Sequence, residues 1–139
     1  MPRIKLIEQN KYPFSLNVTL QPRDINYGGH LGNDALISLL GSARVDMLHS
    51  LNMSEGDLGD GRTGIIMSDL VVSFKAEAYM FDELCIETNA GEFSRIGFRI
   101  FHRVTKKGGG LIALAETGMT TFNYSTRKIA QVPDKFLEE

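Results

Sequence analysis

One stretch of the sequence, RDINYGGHLGN at residues 23–33, places a carboxylate, an imidazole and an amide within ten positions of one another. Asp24 is the carboxylate that could polarise a water molecule or attack a carbonyl carbon directly. His30 could take part in the reaction from the wall of a pocket, and Asn33 could hold the water or the carbonyl oxygen. An ordinary Asp titrates near pH ~4, so Asp24 would act as a base at neutral pH only where it is partly removed from water.

Each of these three residues also has a purely structural interpretation. Asp24 follows Pro22 and Arg23, and its carboxylate could equally accept hydrogen bonds from the backbone of a turn. His30 taken alone is more often structural than functional. Asn33 precedes a helical pattern, and capping the helix is its simplest role.

The junction between this loop and the helix that follows could stabilise a developing oxyanion. The first backbone N–H groups of a helix have no partners inside the helix, and the helix dipole places partial positive charge there. A carbonyl oxygen directed at the N–H groups of Leu31 to Asp34 would therefore meet a preformed electropositive site. Gly29 and Gly32 carry no side chain that would obstruct this approach.

The elements that position the loop follow from hydrophobic periodicity. Residues 12–22 alternate apolar and polar side chains, which predicts a half-buried strand that Pro22 closes. Residues 33–51 carry apolar side chains at helical spacing, with Asn33 or Asp34 as the N-cap. Residues 65–124 then read as four strands joined by short turns. The order predicts an α+β protein in which a curved, antiparallel five-stranded sheet wraps around one long helix, as a single domain over residues 1–139.

Two surfaces of this predicted domain would be left uncovered in a single copy of the chain. The helix is apolar almost all round, because Ile37, Val45 and Leu48 lie outside its main apolar stripe. The last strand, residues 111–124, is rich in β-formers and lacks the charges or prolines that usually protect an exposed sheet edge. Two copies that pair their sheets and helices would cover both surfaces, which predicts a homodimer, either alone or as half of a tetramer.

Composition narrows the class of protein. The chain of 139 residues carries a formal net charge of −2 and a single cysteine. The charge offers no general attraction for nucleic acid, and one cysteine, Cys85, allows neither an internal disulfide nor a cysteine-based zinc site. The sequence shows no metal-ligand cluster, no membrane span and no signal peptide, so we expect a cytoplasmic protein without a metal or nucleic acid.

The loop resembles the signature of the hotdog-fold acyl-CoA thioesterases, in the 4-hydroxybenzoyl-CoA thioesterase-like superfamily. The pattern of that family is roughly D-x-D-x-x-G-H-x-x-N, which Asp24, Gly29, His30 and Asn33 match, while Asn26 stands where a second Asp is usual. Two later stretches are also similar to the family: VSFKAEA at residues 72–78 with DEL at 82–84, and AETG at residues 115–118 with RKIAQVP at 127–133. The resemblance covers residues 12 to 137.

The resemblance implies a hotdog domain that hydrolyses an acyl-CoA or acyl-carrier-protein thioester, with the acyl site between two subunits. Coenzyme A would be part of the substrate, and no separate cofactor is expected. The catalytic residues would be Asp24 (as base or nucleophile), His30 and Asn33, and the substrate would contact Asn26, Gly29, Leu31 and Gly32. Asp24→Asn should then lower the rate about a hundredfold or more.

Two other functions remain open from the sequence. A hotdog hydratase or dehydratase needs a histidine and an acid, and His30 could be half of that pair. The other open function is a protein that binds an acyl thioester without reacting with it. Asn26 keeps this function open, because it brings no charge to the second position of the motif. Hydrolysis, hydration and binding alone are distinguished by the products formed from acyl-CoA substrates.

A basic edge, residues 95 to 107, could contact the phosphates of coenzyme A. Its members are Arg95, Arg99, Arg103, Lys106 and Lys107. We favour a solvated sheet face for these residues, with Arg99 and Arg103 as the candidates for substrate binding. Glu77 is interpreted as a charge that maintains solubility.

Overall fold

A computed structural model describes residues 4–138 of the chain. Its elements, in chain order, are β1 Phe14–Thr19, a 3-10 helix Pro22–Asp24, α1 Asn33–Ser50, β2 Thr63–Phe74, β3 Glu83–Ser94, β4 Gly97–Lys106, β5 Leu111–Asn123, β6 Lys128–Ile129 and α2 Asp134–Leu137. The strand predicted at 12–22 is shorter in the structure, because it begins at Phe14 and ends at Thr19, and Pro22 already belongs to the 3-10 helix. The sequence prediction of a first strand, a long helix and a run of later strands is otherwise confirmed.

All the strand pairs are antiparallel, and the strands lie in the order β1-β3-β4-β5-β2. The two-residue strand β6 pairs with β5 and adds a short sixth strand to the five that were predicted. Register shifts interrupt β2 between Met67 and Asp69 and β3 between Gly91 and Ser94. Such irregularities bend a strand and increase its twist, which suits a sheet that curves around a helix.

The prediction that residues 111–124 form an exposed edge is wrong. Strand β5 lies between β4 and β2, so the edges of the sheet are β1 and β2. The hairpins that join β3, β4 and β5 place β5 next to β4 in the usual way, but β2 pairs with the free side of β5 across a long separation in sequence. Most residues of β5 are buried because the strand lies inside the sheet, with a neighbouring strand on each side.

Helix α1 begins where it was predicted, but its N-cap is different. Gly32 is the N-cap residue, with φ −78° and ψ 154°, and its carbonyl oxygen accepts the first intrahelical hydrogen bond, from the N–H of Leu36 at 3.0 Å. Asn33 and Asp34 are already helical, so the prediction that one of them is the N-cap is wrong. Gly32 itself is extended, and its N–H donates to the carbonyl of Asp24 at 3.0 Å.

The helix lies against β1 and β3, with one face in the core. Its buried residues are Leu36, Leu40, Ala43, Met47 and Leu48. Leu48 thus belongs to the buried face, although the periodicity placed it outside. Ile37 and Val45, the other two residues outside the main stripe, are 43% and 50% exposed, so this chain by itself leaves an apolar face of α1 uncovered.

Candidate functional site

The loop at residues 24–32 is a tight hairpin held by its own backbone. Ile25 and Leu31 form an isolated antiparallel bridge, and the N–H of Asn26 donates to the carbonyl of His30 at 2.9 Å. The N–H of Leu31 donates to the carbonyl of Ala78 at 2.8 Å, which ties the loop to the segment that follows β2. These bonds fix the position of His30 relative to the start of α1 on one side and to residues 75–78 on the other.

Asn26 organises the inside of this hairpin. Its side-chain oxygen accepts the N–H of Gly28 at 2.9 Å and lies 3.4 Å from the N–H of His30. Gly29, at the tip, has φ +82°, a conformation that favours glycine. An amide oxygen performs this role as well as a carboxylate does, so an uncharged residue at this position maintains the loop.

Asp24 lies in the 3-10 helix before the hairpin and is partly buried. Its Oδ2 accepts the backbone N–H of Gln21 at 2.8 Å. This hydrogen bond is the turn-forming role that the sequence left open beside catalysis. Asp24 does not belong to the residues that line the neighbouring cavity.

A cavity of about 430 Å³ lies between the loop and the end of β2. The residues around it are predominantly apolar and come from two segments: His30, Leu31 and Asn33 from the loop and the first residue of α1, and Phe74, Lys75, Ala76, Glu77 and Ala78 from the end of β2 and beyond. The structure therefore places two of the candidate residues, His30 and Asn33, in the lining of one cavity, together with Glu77.

The start of α1 contributes unpaired N–H groups beside this cavity. The first intrahelical bond is donated by Leu36, and within residues 4–138 no hydrogen bond is made by the backbone N–H groups of Asn33, Asp34 and Ala35. Because Asn33 lines the cavity, the positive end of the helix dipole lies at its wall. Gly32 is buried directly before these groups and has no side chain to cover them.

Glu77 is the functional candidate that the sequence did not reveal. Its Oε1 lies 3.9 Å from Nε2 of His30, and its Oε2 accepts the hydroxyl of Tyr79 at 2.7 Å. The hydrogen bond to Glu77 raises the pKa of the Tyr79 phenol above its ordinary value. Glu77 is 47 positions from His30, and nothing in the alternation of β2 indicates that its end returns to the loop.

The two arginines proposed for coenzyme A binding are engaged with carboxylates. Arg99 pairs with Asp69, with Nη1 at 3.1 Å from Oδ2, and also with Glu116. Arg103 donates two hydrogen bonds to Glu87, at 2.8 and 2.9 Å, and one to Glu8. Neither arginine lines the cavity beside the loop. These contacts favour the solvated face over a phosphate site.

Lys106 and Lys107, farther along the basic edge, are also paired. Lys106 lies 3.1 Å from Asp82, and Lys107 lies 3.2 Å from Glu83. Arg99 and Arg103 each donate hydrogen bonds to their own carboxylate partners. These bonds raise the pKa of both guanidinium groups above the ordinary value, so both arginines remain charged.

The described residues form neither a metal-binding cluster nor a membrane-spanning helix. Within residues 4–138, no three or more His, Cys, Asp or Glu side chains are grouped as metal ligands would be. No helix in the same part of the chain has the length and hydropathy needed to cross a membrane.

Comparison with known proteins relates the chain to one family. The family model described as the thioesterase-like superfamily matches residues 20–139. A search of the curated proteins gives no significant match.

Solved structures share the fold over most of their length. A 1,4-dihydroxy-2-naphthoyl-CoA thioesterase from Synechocystis is 18% identical, with a TM-score of 0.80 over 89% of this chain and 92% of that one. A DHNA-CoA thioesterase from Staphylococcus aureus is 16% identical, with a TM-score of 0.78 over 90% of this chain and 84% of that one. A hypothetical protein from Staphylococcus aureus, solved in complex with CoA, is 15% identical, with a TM-score of 0.79 over 96% and 84%. These likenesses show the hotdog fold.

Proposed function

The chain belongs to the thioesterase-like superfamily, and on that premise we propose that it hydrolyses an acyl-CoA to a free acid and a thiol. The observation that carries the proposal is the cavity of about 430 Å³ in which His30, the start of α1 and Glu77 meet. Two of the similar structures are CoA thioesterases by name and a third was solved with CoA, which supports coenzyme A as the carrier.

The start of α1 would stabilise the oxyanion. When water attacks a thioester, negative charge develops on the carbonyl oxygen, and preorganised N–H donors at that position lower the barrier. We assign this role to the N–H groups of Asn33, Asp34 and Ala35, a proposal supported by their lack of hydrogen-bond partners in the described residues. The side chain of Asn33 adds an amide that could orient the carbonyl or the attacking water.

The rest of the cavity suits an acyl group joined to coenzyme A. Leu31, Phe74, Ala76 and Ala78 give it an apolar wall, which would exclude water from the acyl chain. Lys75 is the basic residue of the lining apart from His30, and its ammonium group could pair with a phosphate of coenzyme A.

Asp24 is the carboxylate that the motif supplies as base or nucleophile, and the proposal retains it as a candidate. The substitution Asp24→Asn tests this role directly, because the amide oxygen can still accept the Gln21 N–H. A loss of about a hundredfold or more would assign Asp24 to the reaction. A rate within threefold of the native protein would leave Asp24 the role of a turn residue.

We propose further that the active species is a homodimer. The uncovered face of α1 borders a groove of about 640 Å³ lined by Leu16, Gly41, Val45 and their neighbours. Strand β2 is an edge of 12 residues with Asp69 as its single charge and no proline. A second copy of the chain that packed on α1 and extended the sheet at β2 would cover both.

A hydratase or dehydratase is the second candidate, because the structure places an acid, Glu77, beside His30. A histidine and a carboxylate can transfer protons to and from an acyl chain as well as activate water. Membership of the thioesterase-like superfamily favours hydrolysis.

Release of thiol from a panel of acyl-CoA substrates tests the proposal. The panel should include short, long and aromatic acyl groups, with mass spectrometry of the products and His30→Gln as the control of lowered activity. Free thiol and free acid in equal amounts are expected. A hydrated acyl-CoA with no thiol released would establish the second candidate, and binding without turnover would overturn both enzymes.

A further inference from the structure

We propose that Glu77 is a catalytic residue of the hydrolysis proposed above, on which this inference rests, and that it holds the attacking water together with His30. From the sequence alone, Glu77 is interpreted as a solubility charge. The inference follows from three features of the structure: the spacing of the two side chains, the contacts that fix each of them, and their common position on the wall of the cavity.

The spacing suits one water molecule shared by both groups. Nε2 of His30 and Oε1 of Glu77 are 3.9 Å apart, which is beyond direct hydrogen-bond distance. A water placed about 2.8 Å from each atom would see them at roughly 90°, so it could donate one hydrogen to Nε2 and the other to Oε1 in slightly bent hydrogen bonds. Its lone pairs would then face away from both acceptors and remain free to attack a carbonyl carbon.

The contacts of His30 leave Nε2 available as the proton acceptor. Nδ1 lies 3.5 Å from the carbonyl oxygen of Leu31, so the tautomer with hydrogen on Nδ1 is the one that this neighbour supports. A Cβ on Gly28 would stand only 3.0 Å from Nε2. Because Gly28 has none, the face of the ring beside Nε2 is open.

Glu77 is anchored through its other oxygen. The hydroxyl of Tyr79 donates to Oε2 at 2.7 Å, which leaves Oε1 directed toward His30. The carboxylate raises the pKa of Tyr79, so the phenol keeps its proton and donates throughout the neutral range. Tyr79 is therefore a positioning residue that acts through Glu77.

The reaction balances without any other reactant. Nε2 of His30 accepts a proton from the water as the water oxygen bonds to the carbonyl carbon, and the charge on the carbonyl oxygen faces the N–H groups at the start of α1. The C–S bond then breaks, and the thiolate takes the proton back from the imidazolium. The carboxylate of Glu77 stabilises the imidazolium between these two steps, and the products are one acid and one thiol.

Asp24 is placed less well for this task. Its Oδ2 is occupied by the backbone N–H of Gln21, and it does not line the cavity that contains His30 and Glu77. Of the carboxylates near the loop (Asp24, Asp34 and Glu77), Glu77 is the one that lines the same cavity as the imidazole.

Steady-state kinetics of variants tests the pair, with the acyl-CoA that the native protein hydrolyses fastest. Glu77→Gln should lower kcat at least tenfold and change KM less than twofold, because it removes charge at the water and leaves the acyl wall intact. Tyr79→Phe should lower kcat several-fold, also at constant KM. Glu83→Gln, which removes an exposed carboxylate paired with Lys107, is the matched control and should leave both constants unchanged.

The double variant His30→Gln/Glu77→Gln decides whether the two residues act as one unit. It should be no slower than His30→Gln alone, because groups that act together are not additive. Additive losses, or a kcat for Glu77→Gln within twofold of the native value, would overturn the inference while the proposed function stands. If the native protein hydrolyses no thioester, both fail. If Glu77→Gln does not fold, Tyr79→Phe gives the decision, since it removes one exposed hydroxyl.

Discussion

At the scale of single residues, the imidazole of His30 depends on the absence of a side chain at Gly28. A methyl group there would meet Nε2 at 3.0 Å and the Asn26 side-chain oxygen at 3.4 Å. The imidazole is the flexible partner in this contact and would turn away. Gly28, which has no reactive group, thus helps to set the distance between His30 and Glu77.

We therefore expect Gly28→Ala to lower kcat about tenfold and the free energy of unfolding by less than about 1 kcal/mol, because an exposed loop position tolerates the methyl group. Thiol-release kinetics and urea unfolding measure the two effects. Gly56→Ala is the matched control, since a Cβ at Gly56 meets no atom within 4 Å. An active Gly28→Ala would show that the ring need not occupy its observed place.

A second residue, His102, links stability to pH. It is 1% exposed, its Nδ1 lies 3.0 Å from the hydroxyl of Thr88, and burial together with the nearby charge of Arg44 lowers its pKa from 6.5 to about 4. The unfolded chain therefore takes up a proton between pH 6.5 and 4 that the folded chain does not. Stability is complete above pH 6.5 and is lost as the pH falls toward 4.

The expected loss from this one group between pH 6.5 and 5 is about 2 kcal/mol of unfolding free energy. His102→Gln should be less stable at pH 7 but should lack this part of the pH dependence. His49→Gln removes an exposed histidine and should retain it. Urea unfolding at a series of pH values checks both, and equal slopes for native protein and His102→Gln would contradict the assignment.

The sequence predicted candidate residues in the loop and missed Glu77 for a physical reason. Asp24, His30 and Asn33 fall in one loop, so their proximity is a local property that spacing reveals. Glu77 lies beside His30 in a segment that the hydrogen bond from the N–H of Leu31 to the carbonyl of Ala78 ties to the loop. That contact depends on how the sheet closes around the helix, which no local pattern records.

At the scale of elements, β4 and its neighbours carry ion pairs in place of a free basic edge. Arg99 lies between Asp69 on β2 and Glu116 on β5, and a Cβ on Gly118 would collide with both Arg99 and Asp69. The alternation of β4 predicted which face these arginines occupy. The carboxylates across from them follow from strand pairing and could not be predicted from the basic residues alone.

Because these charges are already paired, Arg99→Gln and Arg103→Gln should each change KM for acyl-CoA less than twofold. Lys75→Gln, at the cavity wall, should raise KM several-fold, and more at low salt than at high salt. Initial rates at two ionic strengths distinguish the two groups. A rise in KM for either arginine variant would return the basic edge to the substrate site.

At the scale of the whole molecule, local patterns predicted the elements but not all of their neighbours. The alternation of residues 69–78 indicated a strand, but the structure has that strand at Thr63–Phe74, so it begins and ends earlier than predicted. The alternation of residues 111–124 and the helical spacing of residues 33–51 correctly indicated a strand and the helix. The position of β5 inside the sheet could not be predicted, because it depends on the pairing of β2 with β5 across some fifty residues. The expectation of a dimer therefore rests on the edge strand β2 and the exposed face of α1.

The positions of β2 and α1 indicate which residues would lie at the dimer interface. Ile66 on β2 and Val45 on α1 are 41% and 50% exposed, so a charge at either position is accommodated by the isolated chain. In a dimer that pairs β2 edges and packs α1 faces, the same charge would be buried without a partner. We expect sedimentation of the native protein at twice the chain mass of 15.4 kDa, and dissociation in Ile66→Lys and Val45→Glu.

Ile129→Lys, on β6, makes the same kind of change at a residue that is 59% exposed and should leave the dimer intact. If the site is completed by the partner, thiol release should fall in proportion to the dimer fraction as each variant is diluted. A native protein that sediments as a fully active single chain would contradict both the dimer and its role in the site.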